Sequence, residues 1–209
     1  MKEKNKIKDG IYLNGVKIEL TPEQIAAIGK AFGAKLEEKT SGAQLASIAV
    51  GGTFKHCGHE FIVLEHLADG TTVVCFKDFV KESVKFGENN NYDGSNVDDI
   101  CCELAEDITD TVEFTLDLTS DDGLDDYGTV DREVALMTTD MYRKYVRILD
   151  KYKTNKWWWL ATAYSTATHD DTDWVKCVSP SGRFSGGNYY DYGDGVRPFC
   201  ILKSNIFVS

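Results

Sequence analysis

Lys156-Trp157-Trp158-Trp159-Leu160-Ala161-Thr162 and, nearer the C-terminal end, Gly195-Val196-Arg197-Pro198-Phe199-Cys200-Ile201-Leu202 are two apolar stretches that bracket a polar, tyrosine-rich segment. All four tryptophans and four of the ten tyrosines lie between Trp157 and Tyr192. Between the stretches run Tyr164-Ser165-Thr166-Ala167-Thr168-His169-Asp170-Asp171 and Ser185-Gly186-Gly187-Asn188-Tyr189-Tyr190-Asp191-Tyr192-Gly193-Asp194. Tyrosine brings large contact area at small entropic cost, and Ser, Gly and Asn adapt their hydrogen bonding, so this mixture suits an exposed recognition surface. Consecutive aromatic residues on a strand point to alternate faces, so two of the three neighbouring tryptophans are expected in the core. Arg197, set between Val196 and Pro198, is expected to be held by a buried or half-buried ion pair.

The 209 residues allow one substantial domain and a small appendage. A formal charge of −11 with scattered lysines and arginines argues against nucleic acid as the main ligand. No run of about 18 apolar residues is present, so no membrane insertion is expected. Met1–Gly10 is charged and lacks an apolar core, so no secretory signal peptide is expected. The six cysteines, at 57, 75, 101, 102, 177 and 200, are then expected to be free thiols in a reducing compartment.

Residues 1–40 read as a small β-hairpin and helix. Asn14-Gly15 supplies a type I′ turn, and Thr21-Pro22-Glu23-Gln24 forms a capped helix start running to about Gly33. This unit is too small to hold a core and is a candidate assembly or attachment segment. Residues 41–209 read as one α+β domain. Thr53–Lys55 and Glu60–His66 form a hairpin continued by Thr71–Phe76, and Gly87–Gly94 is a polar loop. A helix capped by Asn96 follows, then a strand over Val112–Leu116 and an acidic loop over Asp117–Gly128. A helix capped by Thr139 or Asp140 should present Met141, Tyr145 and Ile148 on one face. The tail is strands and loops.

The frame WWWLAT…DWVKCVSPSG…GVRPFCIL resembles the C-terminal framework of variable proteins of diversity-generating retroelements, and of a related bacterial and phage domain of unknown function. The resemblance spans roughly residues 45 to 209. It implies a C-type-lectin-like fold with a C-terminal variable region at about 157–200, whose exposed residues are diversified through adenine-rich codons. The implied ligand-binding residues are Tyr164, Thr168, His169, Asp170, Asp171, Asp173, Arg183, Phe184, Ser185, Asn188, Tyr189, Tyr190, Asp191, Tyr192 and Asp194. The implied function is receptor binding or adhesion, with a host-cell surface protein or glycan as partner. The implied location is a phage virion tail, or the bacterial cytoplasm before assembly, with other virion subunits or further copies of the chain as neighbours.

Other chemistries fit less well. His56-Cys57-Gly58-His59-Glu60 lacks a second ligand cluster for zinc and is better read as part of a hairpin. The run Asp117, Asp121, Asp122, Asp125, Asp126 and Asp131 lacks the glycine and terminal glutamate of a helix-loop-helix calcium site and is better read as a solvated loop. Asp170, Asp171 and Asp194 are the loop carboxylates a lectin-like calcium site would use. No metal or cofactor is expected. A structural virion component is an alternative function. The remaining alternative is an enzyme related to formylglycine-generating proteins, with Cys177 or Cys200 working with His169. Both cysteines sit among apolar framework residues, so no catalytic residue is assigned.

Overall fold

The computed structural model describes residues 11–13, 16–18 and 42–209. The chain divides into two compact units, Met1–Ser41 and Gly42–Ser209. In the first, β1 (Ile11–Leu13) pairs antiparallel with β2 (Val16–Ile18), with Leu13 opposite Val16, which is the register of the expected hairpin. Its Asn14-Gly15 turn and the helix expected from Thr21 lie outside the described residues.

The second unit is α+β. Its main sheet has five antiparallel strands in the order β4 (Thr53–His56), β5 (His59–His66), β6 (Thr71–Phe76), β13 (Phe199–Lys203), β9 (Val134–Ala135). The β4–β5 turn is Cys57-Gly58, both at positive φ (47° and 81°), so the histidine-cysteine motif is a tight hairpin. Phe54, Phe61 and Phe76 stack in series on this sheet, with centroids 5.4 and 4.5 Å apart. Strand β13, which follows the Gly195–Pro198 approach, therefore lies inside the sheet, between β6 and β9. Short pairs complete the framework: β3 (Ala43–Gln44) with β14 (Phe207–Val208), and β7 (Phe114–Asp117) with β8 (Thr129–Arg132).

Helix α1 (Asn96–Ala105) is capped by Ser95, whose hydroxyl accepts from the Asp98 amide, one residue before the expected cap. Its buried Asp98 takes a two-point grip from Arg132 of β8, Nε to Oδ1 at 2.8 Å and Nη2 to Oδ2 at 2.6 Å. Helix α2 (Thr139–Leu149) is capped by Thr138. Its most buried residues are Tyr142, Tyr145 and Leu149, and the expected Met141 and Ile148 flank them, half-buried against the core.

The second sheet is β10 (Trp158–Ala163), β11 (Trp174–Val178) and β12 (Phe184–Asn188), antiparallel in that order. All of β10 is buried. Trp159 points to one face, its Nε1 donating to the Val84 carbonyl at 2.9 Å and its ring edge-on to Phe86. Trp158 points to the other, edge-on to Tyr142 of α2. Trp157 is outside, so two tryptophans of three are core. Gly195 joins the two sheets: its carbonyl accepts from Trp159 N at 3.1 Å and its N–H donates to Trp157 O at 2.8 Å, just before the chain enters β13.

Arg197 is buried, but no carboxylate meets it among the described residues. Its Nε donates to the Phe76 carbonyl at 3.0 Å and its guanidinium lies 5.5 Å from the Trp158 ring centroid. The expected ion pair is replaced by a carbonyl and an aromatic face, which attract the cation without requiring a second buried charge.

Gly187 of β12 faces the Trp159 ring, and a Cβ there would lie 2.8 Å from Cζ3. The ring is pinned by its Val84 bond and cannot withdraw. Gly187→Ala is expected to lower the urea midpoint at unchanged slope, a loss of about 1–3 kcal/mol.

Candidate functional site: the outer face of the C-terminal sheet

Among the described residues eight large apolar side chains are exposed, and five of them, Tyr164, Trp174, Phe184, Tyr190 and Tyr192, belong to the β10–β12 sheet and its loops. The period-two alternation of a strand produces this face. On β11, Val175 and Cys177 go inward, leaving Trp174 and Lys176 on the outer side. Antiparallel register then sets Trp174 beside Asn188, Lys176 beside Gly186 and Val178 beside Phe184. Tyr164, Asp171, Trp174 and Gly186 line a shallow cleft of about 340 Å³. Gly186 keeps it open, since a Cβ would lie 3.4 Å from the Trp174 ring. Lys176 Nζ stands 5.3 Å from the centroid of Tyr164, and the Arg143 guanidinium 5.2 Å from that of Phe184.

The first loop is tightly held. Ser165 and Thr166 are buried, a 3₁₀ turn covers Ala167–His169, and Asp170 ends it in the left-handed region (φ 55°). Two carboxylates from the acidic loop clamp it. Asp122 accepts from Ser165 Oγ at 2.6 Å, His169 Nδ1 at 2.8 Å and Ser120 Oγ at 2.5 Å. Asp126 accepts from Thr166 Oγ1 and, at 2.7 Å, from Thr168 Oγ1. The Ser120, Ser165 and His169 bonds hold the Asp122 carboxyl far below the usual carboxylate range. The acidic run is therefore not simply a solvated loop: two of its carboxylates fasten the recognition loop. Among the described residues no three His, Cys, Asp or Glu side chains gather as a metal site.

From beneath, buried Asn90 anchors the same loop. Its Nδ2 donates to the carbonyls of Ser165 (3.0 Å), Trp174 (3.1 Å) and Asp171 (3.4 Å), while its Oδ1 accepts from Tyr127 OH at 2.6 Å. Asn90 belongs to a run expected to be only a polar loop, and nothing local distinguishes it from Asn89 or Asn91.

The fifteen expected ligand residues separate into groups. Tyr164, Thr168, His169, Asp170, Asp173, Arg183, Phe184, Tyr190, Asp191 and Tyr192 are exposed, and Asp171, Ser185 and Tyr189 are half-buried. Tyr189 packs on the core, and its N–H donates to the Asp173 carbonyl at 2.9 Å, tying the second loop to the first. Thr168 and His169 are partly engaged by the clamp. Asn188 and Asp194 are a correction: both are buried and cannot front a ligand. Asn188 shapes the tyrosine turn, its N–H donating to Asp191 Oδ2 at 3.1 Å. Asp194 lies in the interior by the Cys177 thiol. Trp174 and Lys176 were missed, although the alternation in Trp174-Val175-Lys176-Cys177 places them outward.

All six cysteines are free. Burial pushes the Cys177 thiol up to about 12 and the Cys200 thiol higher still. Neither has the thiolate character of an activated nucleophile, and His169 is occupied by Asp122.

With this geometry in place, the comparisons are brief. Residues 108–204 match the family model of a domain of unknown function, DUF6273. The match takes in the acidic clamp, α2, the whole β10–β12 sheet and all of β13, and leaves out Asn90. No curated protein and no solved structure gives a match.

Asn90→Ala should cost about 1–3 kcal/mol, because three carbonyls lose their donor. Hydrogen exchange at the Thr168–Asp173 amides should quicken with little change in β13. Asp194 yields a pH prediction. Burial raises its carboxyl to about 6, above the roughly 3.9 of an unfolded aspartate. Between those values the folded chain holds a proton that the unfolded chain has released, so its contribution to stability falls as pH rises through that window. Asp194→Asn should flatten this decline and raise stability at neutral pH, on the order of 2 kcal/mol in urea unfolding.

Proposed function

We propose that this chain is a ligand-binding protein of the receptor-binding or adhesion type, with a C-type-lectin-like domain and a C-terminal surface diversified by a retroelement. Its partner is a host-cell surface protein or glycan, and its setting a phage virion. The observation that carries this reading is the exposure of Tyr164, Trp174, Phe184, Tyr190 and Tyr192 on the β10–β12 sheet and the loops that adjoin it. Exposed aromatic residues at such density are unfavourable on a surface without a partner and are the residue types that dominate interface hot spots. The rigid underlayer supports the same reading. Asn90 and the Asp122–Asp126 clamp hold the loop backbone, so side chains above can change without a change of fold, and little entropy is lost on binding.

Mechanistically, the aromatic rings supply contact area and the exposed loop carboxylates, hydroxyls and His169 supply polar selectivity. Each site is small, and many copies on a particle would raise the effective concentration.

Deep sequencing of the locus across a natural population tests this. Replacements should concentrate at the exposed positions Tyr164, Thr168, Asp170, Asp173, Tyr190 and Tyr192. Buried Asn188 and Asp194 should stay constant along with Trp158, Trp159 and Val196–Leu202. An even spread of substitutions, or an invariant face, would reject diversification and leave a fixed structural surface.

A further inference from the structure

The cleft beside Trp174 has a composition that selects one kind of ligand. Trp174 and Tyr164 are 45% and 49% exposed, and with Asp171 and Gly186 they line a shallow space of about 340 Å³. Pockets for small molecules begin at about 300 Å³, so this one has room for a single side chain or ring. The two aromatic rings offer π faces, which attract a cation or a flat group laid on them. Asp171 is half-buried, and its Oδ1 accepts from the Asp173 N–H at 3.1 Å, which fixes the carboxylate in place. Among the described residues no lysine, arginine or histidine pairs with it.

The charge around the cleft decides between candidates. Asp170 and Asp173 flank Asp171 on the same loop, are exposed, and likewise make no ion pair among the described residues. The basic groups near them are engaged elsewhere. Lys176, whose side chain is 12% exposed, gives its ammonium to Asp121 at 3.0 Å. His169 Nδ1 lies 2.8 Å from Asp122. Arg143 and Arg183 belong to the far end of β12, at Phe184. An anion would meet three unpaired carboxylates and be repelled. A neutral sugar would stack on Trp174 and leave all three charges uncompensated. A cation compensates them, and a guanidinium uses both parts of the cleft. Its plane stacks on an indole and its fork of N–H donors matches a carboxylate, where an ammonium offers only a point charge. That chemistry also names the source, because a guanidinium is a group of proteins rather than of glycans or lipid headgroups.

We propose that this cleft receives an arginine side chain of a protein partner, its guanidinium stacked on Trp174 and paired with Asp171. The inference rests on the reading of the C-terminal sheet as a ligand surface and narrows it, selecting a protein over a glycan.

The test is an NMR titration of the full chain with Nα-acetyl-L-arginine methylamide, following the backbone amides and the Trp174 indole N–H. The comparison probes are the neutral isostere Nα-acetyl-L-citrulline methylamide, choline, methyl α-D-glucopyranoside and inorganic phosphate. The arginine probe should give saturable shifts at the Trp174 indole and at the Asp171 and Gly186 amides, and the citrulline probe should bind at least about threefold more weakly. Asp171→Asn keeps an Oδ1 to accept from Asp173 and removes only the charge. It should weaken arginine binding about threefold to tenfold and leave citrulline binding unchanged, a difference that a merely structural loss would not produce. Trp174→Leu should weaken both probes, and it keeps the test decisive should the first variant disturb the loop. The proposal is overturned by equal binding of arginine and citrulline, by no response to arginine, or by arginine affinity unchanged in both variants. A cleft response to choline, glucoside or phosphate in place of arginine overturns it as well. In that last case the surface still binds a ligand, so the broader reading would stand while this one fails.

Discussion

Burial of strand β10 on both faces is the constraint from which the rest follows. Trp158 and Trp159 are adjacent in sequence and so project to opposite sides, and each finds a separate wall. Trp159 closes against Phe86 and the Val84 carbonyl; Trp158 closes against Tyr142 and the Arg197 guanidinium. One strand thus locks α2, the segment from Val84 to Phe86 and the approach to β13 into a single arrangement. Only β11 and β12, one step further out, are left with a face for solvent. Glycine at 187 lets β12 lie flat over the Trp159 ring, which extends the sheet without opening a gap.

The loops above that sheet are ordered by polar groups that come from far away in sequence. Asn90 reaches three carbonyls from below, and Asp122 and Asp126 collect hydroxyls and an imidazole from the side. Much of the binding is to backbone atoms or to Ser165 and Thr166, which are buried. A surface supported in this way tolerates change in its outermost side chains, because few of those side chains hold the loop in place. The clamp also gives part of the excess negative charge a local use: two of the carboxylates are acceptors in a network rather than free surface charge.

Much of the architecture was legible because it depends on short-range rules. Alternation and turn chemistry delimited β4 to β6, and the acidic loop and both helices were placed to within about a residue at their caps. The aromatic tail announced a strand framework with polar loops between. What was not legible depended on long-range geometry. Asn90 differs from Asn89 and Asn91 only in what lies above it. Arg197 looked like half of an ion pair because its carbonyl and tryptophan partners come from β6 and β10. Asn188 and Asp194 share the composition of the exposed loop, yet the turn carries one inward and the approach to β13 buries the other.

The sequence by itself determined the α+β class, the two inward tryptophans and the concentration of tyrosine, serine, glycine and aspartate in the C-terminal loops. These follow from side-chain period, turn preference and composition, which act over a few residues. Only the tertiary structure decided which loop residues reach solvent, which carboxylates serve as clamps, and that the Thr139 hydroxyl is buried without a partner. Those outcomes depend on which distant backbone atoms compete for each polar group, and that competition exists only once the strands have been brought together.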